Sequence, residues 1–472
     1  MSLLSDRIVR VGSLSLLVFL SHPSQGKDLK SYLGSYMAVS ESHQIQVSKK
    51  HQAEQQKIIT DDVFQSRLSV SPTWQNSTLT SYAGSVETSE ESDTSQSLGL
   101  TLSQKSPWGL VGQLSVEKSL DEDDFSSTRT DLGWSAALTT SLRRDFLGSS
   151  TRSNQLKAGA HWESAKWLES DQLMSSCIEG INFYTTAYIE QEKLKATQKV
   201  LKLAEQSLGI AKNAYKRKLI RKIDSLALQS EALRIRSRFH TAQQRAFESL
   251  TRMTLAAGIV AVAELKDPER ALKVSQSTEK GVLNSPELRA REYDVESAQW
   301  DLAYNKNQSK SEVSLGLEYS SVSGEVLSGS TFNDYKDRTL MLELTWDWEW
   351  WNSELAATRS ISLEAHKQAQ LRLRATRKKL EEEFQDLMHQ RTVKAEVVQL
   401  LTEQVQLLEE QVREGLRLLR AGKFNINDYI NYQDRLLTER LNLLVEKNEL
   451  WHTHLRLAQL QGHKQEVCLG VL

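Results

Sequence analysis

The chain has 472 residues, of which 25% are charged, and its 59 Lys and Arg residues against 61 Asp and Glu give a formal net charge of −2. This balance argues against a general nucleic-acid binder, which carries a basic surplus or a basic stripe. Only five prolines occur, and none lies between Trp108 and Asp267 or after Pro286. Such long proline-free stretches are typical of long uninterrupted helices rather than of a compact enzyme with many turns.

The N-terminus has the pattern of a secretory signal peptide. Arg7 and Arg10 precede a short apolar run, Val11 to Leu20, which ends in the small-residue pattern Ser24-Gln25-Gly26. The run is too short to span a bilayer, and its flanks are those of a cleavable signal. We therefore expect residues 1–26 to be removed and the mature chain to be exported.

The two cysteines, Cys177 and Cys468, lie far apart in the sequence and neither belongs to a C-x-x-C pair. Two cysteines cannot build a disulfide framework of the kind found in small secreted domains. We expect both to be unpaired thiols without a role.

Helical and strand-like segments alternate along the chain. A polar, helix-favouring segment from Lys27 to about Asp62 is followed by alternation of period two, which predicts strands. These first strands are Ser66–Leu79, Thr94–Lys105, Gly109–Ser119 and Arg129–Leu142, with a loop at Gly84–Ser92. Helical spacing returns from Ser150 to about Lys266 and again after Pro286. Two more strands, Glu312–Val322 and Arg338–Glu349, flank a loop at Ser323–Ser330 and precede a long helical stretch.

The order of these segments occurs twice. Asp224 aligns with Asp428 at an offset of 204, and 70 residues separate Gly148 from Lys218 just as 70 separate Asn352 from Gly422. We predict two repeats of helix, strands, long helix, turn and helix. The first repeat covers 27–266, with an inserted hairpin at about 90–128 and a tip near 218–224; a linker covers 267–284; the second repeat covers 285–465, with a tip near 422–428; and a tail covers 466–472.

The lengths of these segments point to a membrane-spanning assembly. Seventy helical residues would extend about 105 Å, and a helix of that length must bury its apolar stripe in coiled-coil packing. Strands of about 11 residues match those of tilted transmembrane barrels. A few strands per chain cannot close a barrel, and open edges are not viable in lipid, so several copies must contribute. The pattern leaves open whether the inserted hairpin joins the barrel, giving six strands per chain, or lies outside it, leaving four.

The segment Thr345 to Trp351 alternates aromatic and acidic residues. Trp346, Trp348 and Trp350 share one strand face, and the acidic residues between them share the other. Because Trp is enriched where barrels meet lipid headgroups, we predict that these three residues form an aromatic belt at the membrane interface. A Trp-rich packed face of a soluble sheet is the alternative.

Three local patterns resemble the TolC-like outer-membrane efflux family. Asn284–Leu288, with Ala298 after it, resembles the start of the family's second repeat; Glu343–Trp348 resembles the strand that re-enters the helical tunnel; and Arg420–Ile430 resembles the turn at the periplasmic tip. Each pattern is weak alone. Together they occur in the family's order within a matching duplication, over about Asp28 to Gln461.

The resemblance implies an α+β membrane protein. Three copies would form one transmembrane β-barrel in the Gram-negative outer membrane, continuous with a long α-helical tunnel across the periplasm. The homotrimer would be the exit duct of a tripartite efflux or secretion system, a passive gated channel that carries solutes outward. Its partners would be outer-membrane lipid, a periplasmic adaptor (membrane-fusion) protein and an inner-membrane pump.

The resemblance also implies an entrance gate in the second repeat. Asp428, six positions after Gly422, would line the entrance as a threefold ring of carboxylates. Asn431 stands where the family has a second acidic residue, which halves the expected charge of the ring. In the simpler alternative, Asp428 is an N-cap or first-turn acid of the helix that follows.

The two helix tips would dock on the adaptor. The residues concerned are Ala421, Gly422 and Lys423 in the second repeat and Arg217, Lys218, Leu219 and Asp224 in the first. Lys218 stands where the repeat pattern expects a Gly. A solvated turn is the alternative interpretation of the basic run around Lys218, because runs of charge usually face water.

Site chemistry of other kinds is not indicated. No phosphate-binding loop, zinc-protease motif or nucleophile-elbow motif occurs, and the ten His and six Met residues form no metal-binding pattern. We expect no catalytic residues, cofactor or metal. Two other classes compete with the duct: a periplasmic coiled-coil scaffold with a small soluble β-sheet, and an enzyme carried on a barrel, which would need a convergent titratable cluster.

Overall fold

The computed structural model describes residues 28–83, 86–123, 127–218, 221–259, 264–268, 282–328, 331–348, 353–420 and 426–468. Several predicted features lie outside these residues. They are the signal peptide, the tip residues Leu219, Ala421, Gly422 and Lys423, and Trp350 of the aromatic belt.

Along the chain, helices alternate with two groups of strands. The helices are α1 (Leu29–Val39), α2 (Glu41–Asp61), α3 (Ser149–Lys216), α4 (Lys222–Ala256), α5 (Pro286–Gln308), α6 (Ser353–Arg420), α7 (Ile426–Leu460) and α8 (Lys464–Val467). The strands are β1 (Arg67–Ala83), β2 (Val86–Lys105), β3 (Leu110–Asp123), β4 (Ser127–Ser141), β5 (Glu312–Ser328) and β6 (Thr331–Asp347). Short 3₁₀ helices occur at Asp62–Phe64, Phe146–Gly148 and Val282–Asn284.

The duplication predicted from the sequence is confirmed in the helices. Helices α3 and α6 both have 68 residues, and α4 and α7 both have 35. Within each pair, the second helix begins and ends 204 residues after the first, which is the offset found between Asp224 and Asp428. A helix of 68 residues extends about 100 Å.

The strands form a single antiparallel sheet in the order β1-β2-β3-β4-β5-β6. The inserted hairpin belongs to this sheet, because β2 and β3 pair with β1 and β4 as well as with each other. The loops predicted at Gly84–Ser92 and Ser323–Ser330 are wrong for 86–92 and 323–328, which continue as strand. Ser and Glu residues fill much of these strand ends, so no apolar alternation marked them in the sequence.

The chain divides into two compact units, and each unit contains residues from both repeats. One unit draws on residues up to Ile45, on Ser170–Ser285 and on Leu380–Leu472; the other consists of Gln46–Glu169 and Pro286–Lys379 and contains the sheet. Helices α3 and α6 contribute residues to both units. Among the described residues, no helix combines the length and the apolarity that a bilayer span requires.

The first unit has an aromatic and aliphatic core around α1 and the middle of α3. Tyr32 and Tyr184 are fully buried, with ring centroids 5.6 Å apart. Each hydroxyl donates a hydrogen bond to a backbone carbonyl oxygen: that of Tyr32 to Met253 at 3.3 Å and that of Tyr184 to Lys266 at 2.8 Å. Burial raises the pKa of both phenols, so they remain neutral donors at physiological pH.

The expectation that the two cysteines are unpaired is wrong. Cys177 of α3 and Cys468, which follows α8, form a disulfide with Cα atoms 5.4 Å apart. Both sulfur-bearing side chains are buried in the core that contains Leu173 and Val467. The packing of α8 into this core brings together residues 291 positions apart, which neither cysteine count nor spacing could reveal.

In the second unit, polar contacts join α3, α5 and α6. Lys157 Nζ lies 2.5 Å from Asp301 Oδ1, and the Ser164 hydroxyl donates to Asp294 at 2.6 Å. Asn305 donates through its side-chain amide to the Ser362 hydroxyl at 2.6 Å. These contacts satisfy polar groups at positions where the helices pack, as partly buried side chains require.

Candidate channel wall, helix tips and entrance

One face of the sheet is apolar and exposed. The register of the strands places on this face Leu68, Val70, Trp74, Leu98, Leu100, Leu102, Leu114, Val116, Trp134, Leu138, Leu317, Leu340, Leu342 and Leu344. Leu340, Leu342 and Leu344 are 70%, 71% and 66% exposed. An apolar face of this extent is far larger than the patches that monomeric soluble proteins leave in water, and it matches the outer surface of a membrane barrel.

The opposite face of the same sheet is polar. It presents Ser69, Ser71, Thr73, Thr101, Ser115, Glu117, Ser135, Thr139, Glu318, Ser320, Thr339 and Glu343. Hydroxyl groups pair across strands on this face: Thr73 Oγ1 lies 2.7 Å from Ser97 Oγ, and Ser115 Oγ lies 2.7 Å from Ser135 Oγ. A face of hydroxyls and carboxylates suits a water-filled lumen.

The two outer strands of the sheet each have one free edge. In the part of the chain that the structure describes, β1 pairs only with β2 and β6 pairs only with β5. Free backbone N–H and C=O groups are costly in lipid, because no water is present to satisfy them. A sheet with this apolar face therefore needs strands from other chains at both edges before it can enter a bilayer.

Trp346 and Trp348 lie on the apolar side of β6, where the strand ends near α6. Their rings stack with centroids 5.3 Å apart and an angle of 13° between the planes, and they are 59% and 56% exposed. The structure thus brings together two members of the predicted belt. Trp74 and Trp134 lie on the same face and were not predicted as belt residues, although strand alternation places both on an apolar face.

A polar cluster on the polar face of the sheet was not predicted from the sequence. The Tyr335 hydroxyl donates to Asp131, and the Arg129 guanidinium donates to Asp131 at 2.8 Å and to the Tyr335 oxygen at 2.5 Å. Gly324 lies between these strands, where an added Cβ would come within 2.1 Å of Asp131 Oδ1. Only the strand register brings these residues together, so no local motif could have identified them.

The first helix tip has an unusual backbone conformation. Arg217 and Lys218 are exposed and form the turn that ends α3, with the Lys218 N–H donating to the Tyr215 carbonyl at 2.8 Å. Lys218 has φ of 61°, in the left-handed region that favours glycine. This is the position where the repeat pattern expects a Gly. Asp224 lies in the first turn of α4, and its side chain is outside the described part.

The two predicted gate residues lie at the start of α7. Asp428 is a first-turn acid of this helix, and Asn431 follows three positions later, so the two share one helix face. Both side chains are exposed, whereas Tyr429 between them is buried and accepts a hydrogen bond from Gln433 at 2.6 Å. Asp428 is therefore placed to stabilise the helix N-terminus and also to face solvent.

Ion pairs tie the tip-side helices of the two repeats together. Arg238 of α4 lies 2.6 Å from Asp434 of α7, and Arg234 lies 3.8 Å from the same carboxylate. Glu231 accepts two hydrogen bonds from Arg234 and holds its guanidinium in place. No motif signalled this network, because its members come from opposite halves of the sequence.

The described residues were also compared with the side-chain groupings that bind metal ions. Within the described ranges, no group of three or more His, Cys, Asp or Glu side chains could hold a metal ion. The groups on the polar face of the sheet are mainly hydroxyls and carboxylates.

Comparisons with known proteins agree with this geometry. Residues 279–463 match the outer membrane efflux protein family. The fold is similar to that of CusC, described as forming a transmembrane channel, with a TM-score of 0.67, 11% identity, and coverage of 94% of this chain and 95% of that one. It is also similar to VceC, an outer membrane protein of Vibrio cholerae, with a TM-score of 0.63, 12% identity, and coverage of 92% and 96%.

A third similar structure is the outer membrane channel CmeC of Campylobacter jejuni, with a TM-score of 0.64, 10% identity, and coverage of 92% of this chain and 85% of that one. No curated protein matches the sequence. The family match and the shared fold confirm the resemblance to TolC-like outer-membrane efflux proteins. The matched proteins are channels and efflux proteins rather than enzymes, in agreement with the expectation from the sequence.

Proposed function

We propose that three copies of this chain form the outer-membrane exit duct of a tripartite efflux system. The observation that carries the proposal is the amphipathic six-stranded sheet, which is apolar and exposed on one face, polar on the other and, within the described residues, unpaired at both edges. Three copies supply enough strands for a barrel wide enough to hold water. The family match over residues 279–463 supports efflux as the purpose of the duct.

The transport step needs no chemistry from this chain. The paired 68-residue helices are long enough to carry a tunnel about 100 Å from the barrel into the periplasm. An inner-membrane pump would supply the energy, and a periplasmic adaptor would bind the tips near Lys218 and Gly422. The duct itself would be passive, with its gate at the tip end of α4 and α7.

The deciding experiment is the native mass of the protein extracted in detergent from separated membranes. The duct predicts a stable trimer in the outer-membrane fraction. The coiled-coil scaffold predicts a water-soluble monomer or dimer in the periplasm, and that result would sink the proposal.

Two neighbouring residues provide a matched pair of variants for this test. Leu342 lies on the apolar face and Glu343 on the polar face of β6. Arginine on the lipid side of a barrel costs about 2–4 kcal/mol near the membrane centre, whereas a lumen position tolerates it. We expect Leu342→Arg to reduce the membrane-inserted trimer strongly and Glu343→Arg to leave it in place; equal behaviour of the two variants would contradict the assignment of the faces.

The gate role of Asp428 is tested by conductance in planar bilayers. With a ring of carboxylates at the entrance, Asp428→Asn should lower cation selectivity and sensitivity to block by divalent cations. Asp386→Asn, at an exposed position on α6 far from the tip, is the control and should change neither. If the cation selectivity of Asp428→Asn were unchanged, the gate role would be excluded, and Asp428 would serve only as a first-turn acid of α7.

A further inference from the structure

A cavity of about 470 Å³ lies where the sheet meets the helices of the second unit. It is bordered by the ends of β4, α5 and β6 and by the starts of β5 and α6. Five cationic side chains line it: Arg143, Arg144, Lys306, Lys310 and Arg359. Asp347 is the single carboxylate in the lining formed by described residues. Such a concentration of like charge favours an anionic ligand.

Two of the cations are held in place by the protein itself. Arg144 lies 3.4 Å from Glu312 and donates to the Lys310 carbonyl at 3.2 Å. Arg143 donates to the Ser311 hydroxyl at 2.6 Å. These contacts fix the guanidinium groups near the cavity, and Arg143 still has donors to offer because a guanidinium carries five N–H groups.

Among the described residues, the other cations of the cavity have no carboxylate partner. Within the described ranges, Lys306 and Arg359 form no ion pair, and Lys310 donates to the neutral amide oxygen of Asn307 at 2.7 Å. The positive charge of this cavity is therefore only partly neutralised. An anion that contacts several of these groups at once would relieve their mutual repulsion.

The rest of the lining indicates what kind of anion fits. Trp348, which stacks on Trp346, forms one wall, and Leu355 and Ala356 add apolar surface. Ser309 and Ser311 add hydroxyl donors. Arginine binds phosphate groups through two parallel hydrogen bonds, and Trp residues of barrels lie at the level of lipid headgroups. A phosphate group joined to an apolar tail would use both parts of this lining.

We infer that this cavity binds the phosphodiester group of an anionic phospholipid at the periplasmic end of the barrel. The inference rests on the proposed function and on the prediction that Trp346 and Trp348 lie at the membrane interface. Lys306, Lys310 and Arg359 neutralise the phosphate, Arg143 donates hydrogen bonds to its oxygens, and Trp348 contacts the glycerol and upper acyl region. The bound lipid would contact the residues next to β4, β5 and β6 and those at the adjoining ends of α5 and α6.

The experiment uses the purified full-length trimer, delipidated in detergent and examined by native mass spectrometry with added lipid. Phosphatidylglycerol, phosphatidylethanolamine and inorganic phosphate are titrated separately. The test variant is Lys306→Gln combined with Arg359→Gln; both side chains are exposed, so the change should not disturb folding. The control variant, Lys336→Gln combined with Arg338→Gln, removes two cations from the half of β6 that is remote from the cavity.

Phosphatidylglycerol should bind most tightly, and the test variant should weaken its binding about 10-fold or more, since each basic residue near a membrane surface adds roughly a factor of five. The control variant should bind as the wild type does. Equal binding by the test variant and wild type, or binding of inorganic phosphate without lipid, would overturn the inference. Because the trimer is isolated first, such a failure is distinct from failure of the duct, which would yield no membrane-inserted trimer.

Discussion

The ammonium group of Lys105 lies 2.8 Å from Oδ2 of Asp145, which ties the end of β2 to the segment that leads into α3. Thr151 donates its backbone N–H to the same carboxylate at 2.9 Å and its hydroxyl at 2.6 Å. Burial raises the pKa of Asp145, but the hydrogen bonds from Lys105 and Thr151 together outweigh it and hold the pKa below its usual value. One side chain thus connects a strand end to the first turn of a long helix.

Replacing this carboxylate should destabilise the junction. We expect Asp145→Asn to lower the free energy of unfolding by about 1–3 kcal/mol, because Lys105 loses its ionic partner. The folded pKa of Asp145 lies below the unfolded one, so its stabilisation is full above about pH 4 and is lost as the pH falls through the folded pKa. Denaturation of both proteins in detergent at neutral and acid pH checks this; a difference that persists unchanged in strong acid would contradict it. Glu163→Gln, in an exposed pair with Lys166, is the control and should cost little.

Gly148, which follows this junction, should tolerate no side chain. Its φ is 71°, and an added Cβ would lie 2.1 Å from the Pro107 carbonyl oxygen, which is backbone and cannot move aside. We expect Gly148→Ala to destabilise by at least about 2 kcal/mol. Gly159→Ala is the matched control, since a Cβ added at Gly159 would meet nothing within 4 Å and helix interiors favour Ala by about 0.5–1 kcal/mol. Thermal unfolding should move in opposite directions for the two variants.

Lys218 stands in a conformation that glycine adopts without cost. We expect Lys218→Gly to stabilise the tip by about 1 kcal/mol, because the left-handed conformation strains a residue with a Cβ. Lys216→Gly, inside the last turn of α3, should instead destabilise by a similar amount. Hydrogen exchange of the amides around the tip would measure both effects locally. Faster exchange in Lys218→Gly would show that the side chain contributes more than the backbone strain removes.

The disulfide should stabilise the first unit. We expect the double variant Cys177→Ala, Cys468→Ala to lose about 2–4 kcal/mol, because the bond restricts a loop of nearly 300 residues in the unfolded chain. Thiol labelling of the denatured wild type should find no free thiol without reductant and two with it. Reductant should lower the melting temperature of the wild type and leave that of the variant unchanged. If the denatured wild type were labelled by the thiol reagent without reductant, the disulfide would be contradicted.

The contact between Arg238 and Asp434 should restrain the tip helices of the two repeats. Its groups are about one half and one third exposed, so its contribution to stability is at most about 1 kcal/mol. Under the proposed gating, Asp434→Asn should nevertheless raise single-channel conductance, because it frees α4 from α7. The control is Arg236→Gln, which breaks the contact with Glu205 between α3 and α4 of one repeat. Equal conductance in both variants would argue against a restraint at Asp434.

The features that could be predicted from the sequence are those that depend on the lengths of segments and on the periodicity of their apolar residues. Equal 70-residue intervals predicted the equal helices α3 and α6, and alternation located part of each of the six strands. The strand ends were missed where polar residues occupy both faces. Contacts between distant residues, such as Cys177 with Cys468 or Asp131 with Tyr335, depend on packing and register, which no single segment encodes.

The disulfide also imposes an order on biosynthesis. In the proposed location the chain is exported from its N-terminus, so Cys177 enters the oxidising compartment while Cys468, 291 residues later, has still to follow. The chain has no other cysteine, and any earlier bond to Cys177 must involve another molecule. Closure of the native bond therefore marks a chain whose export has passed Cys468.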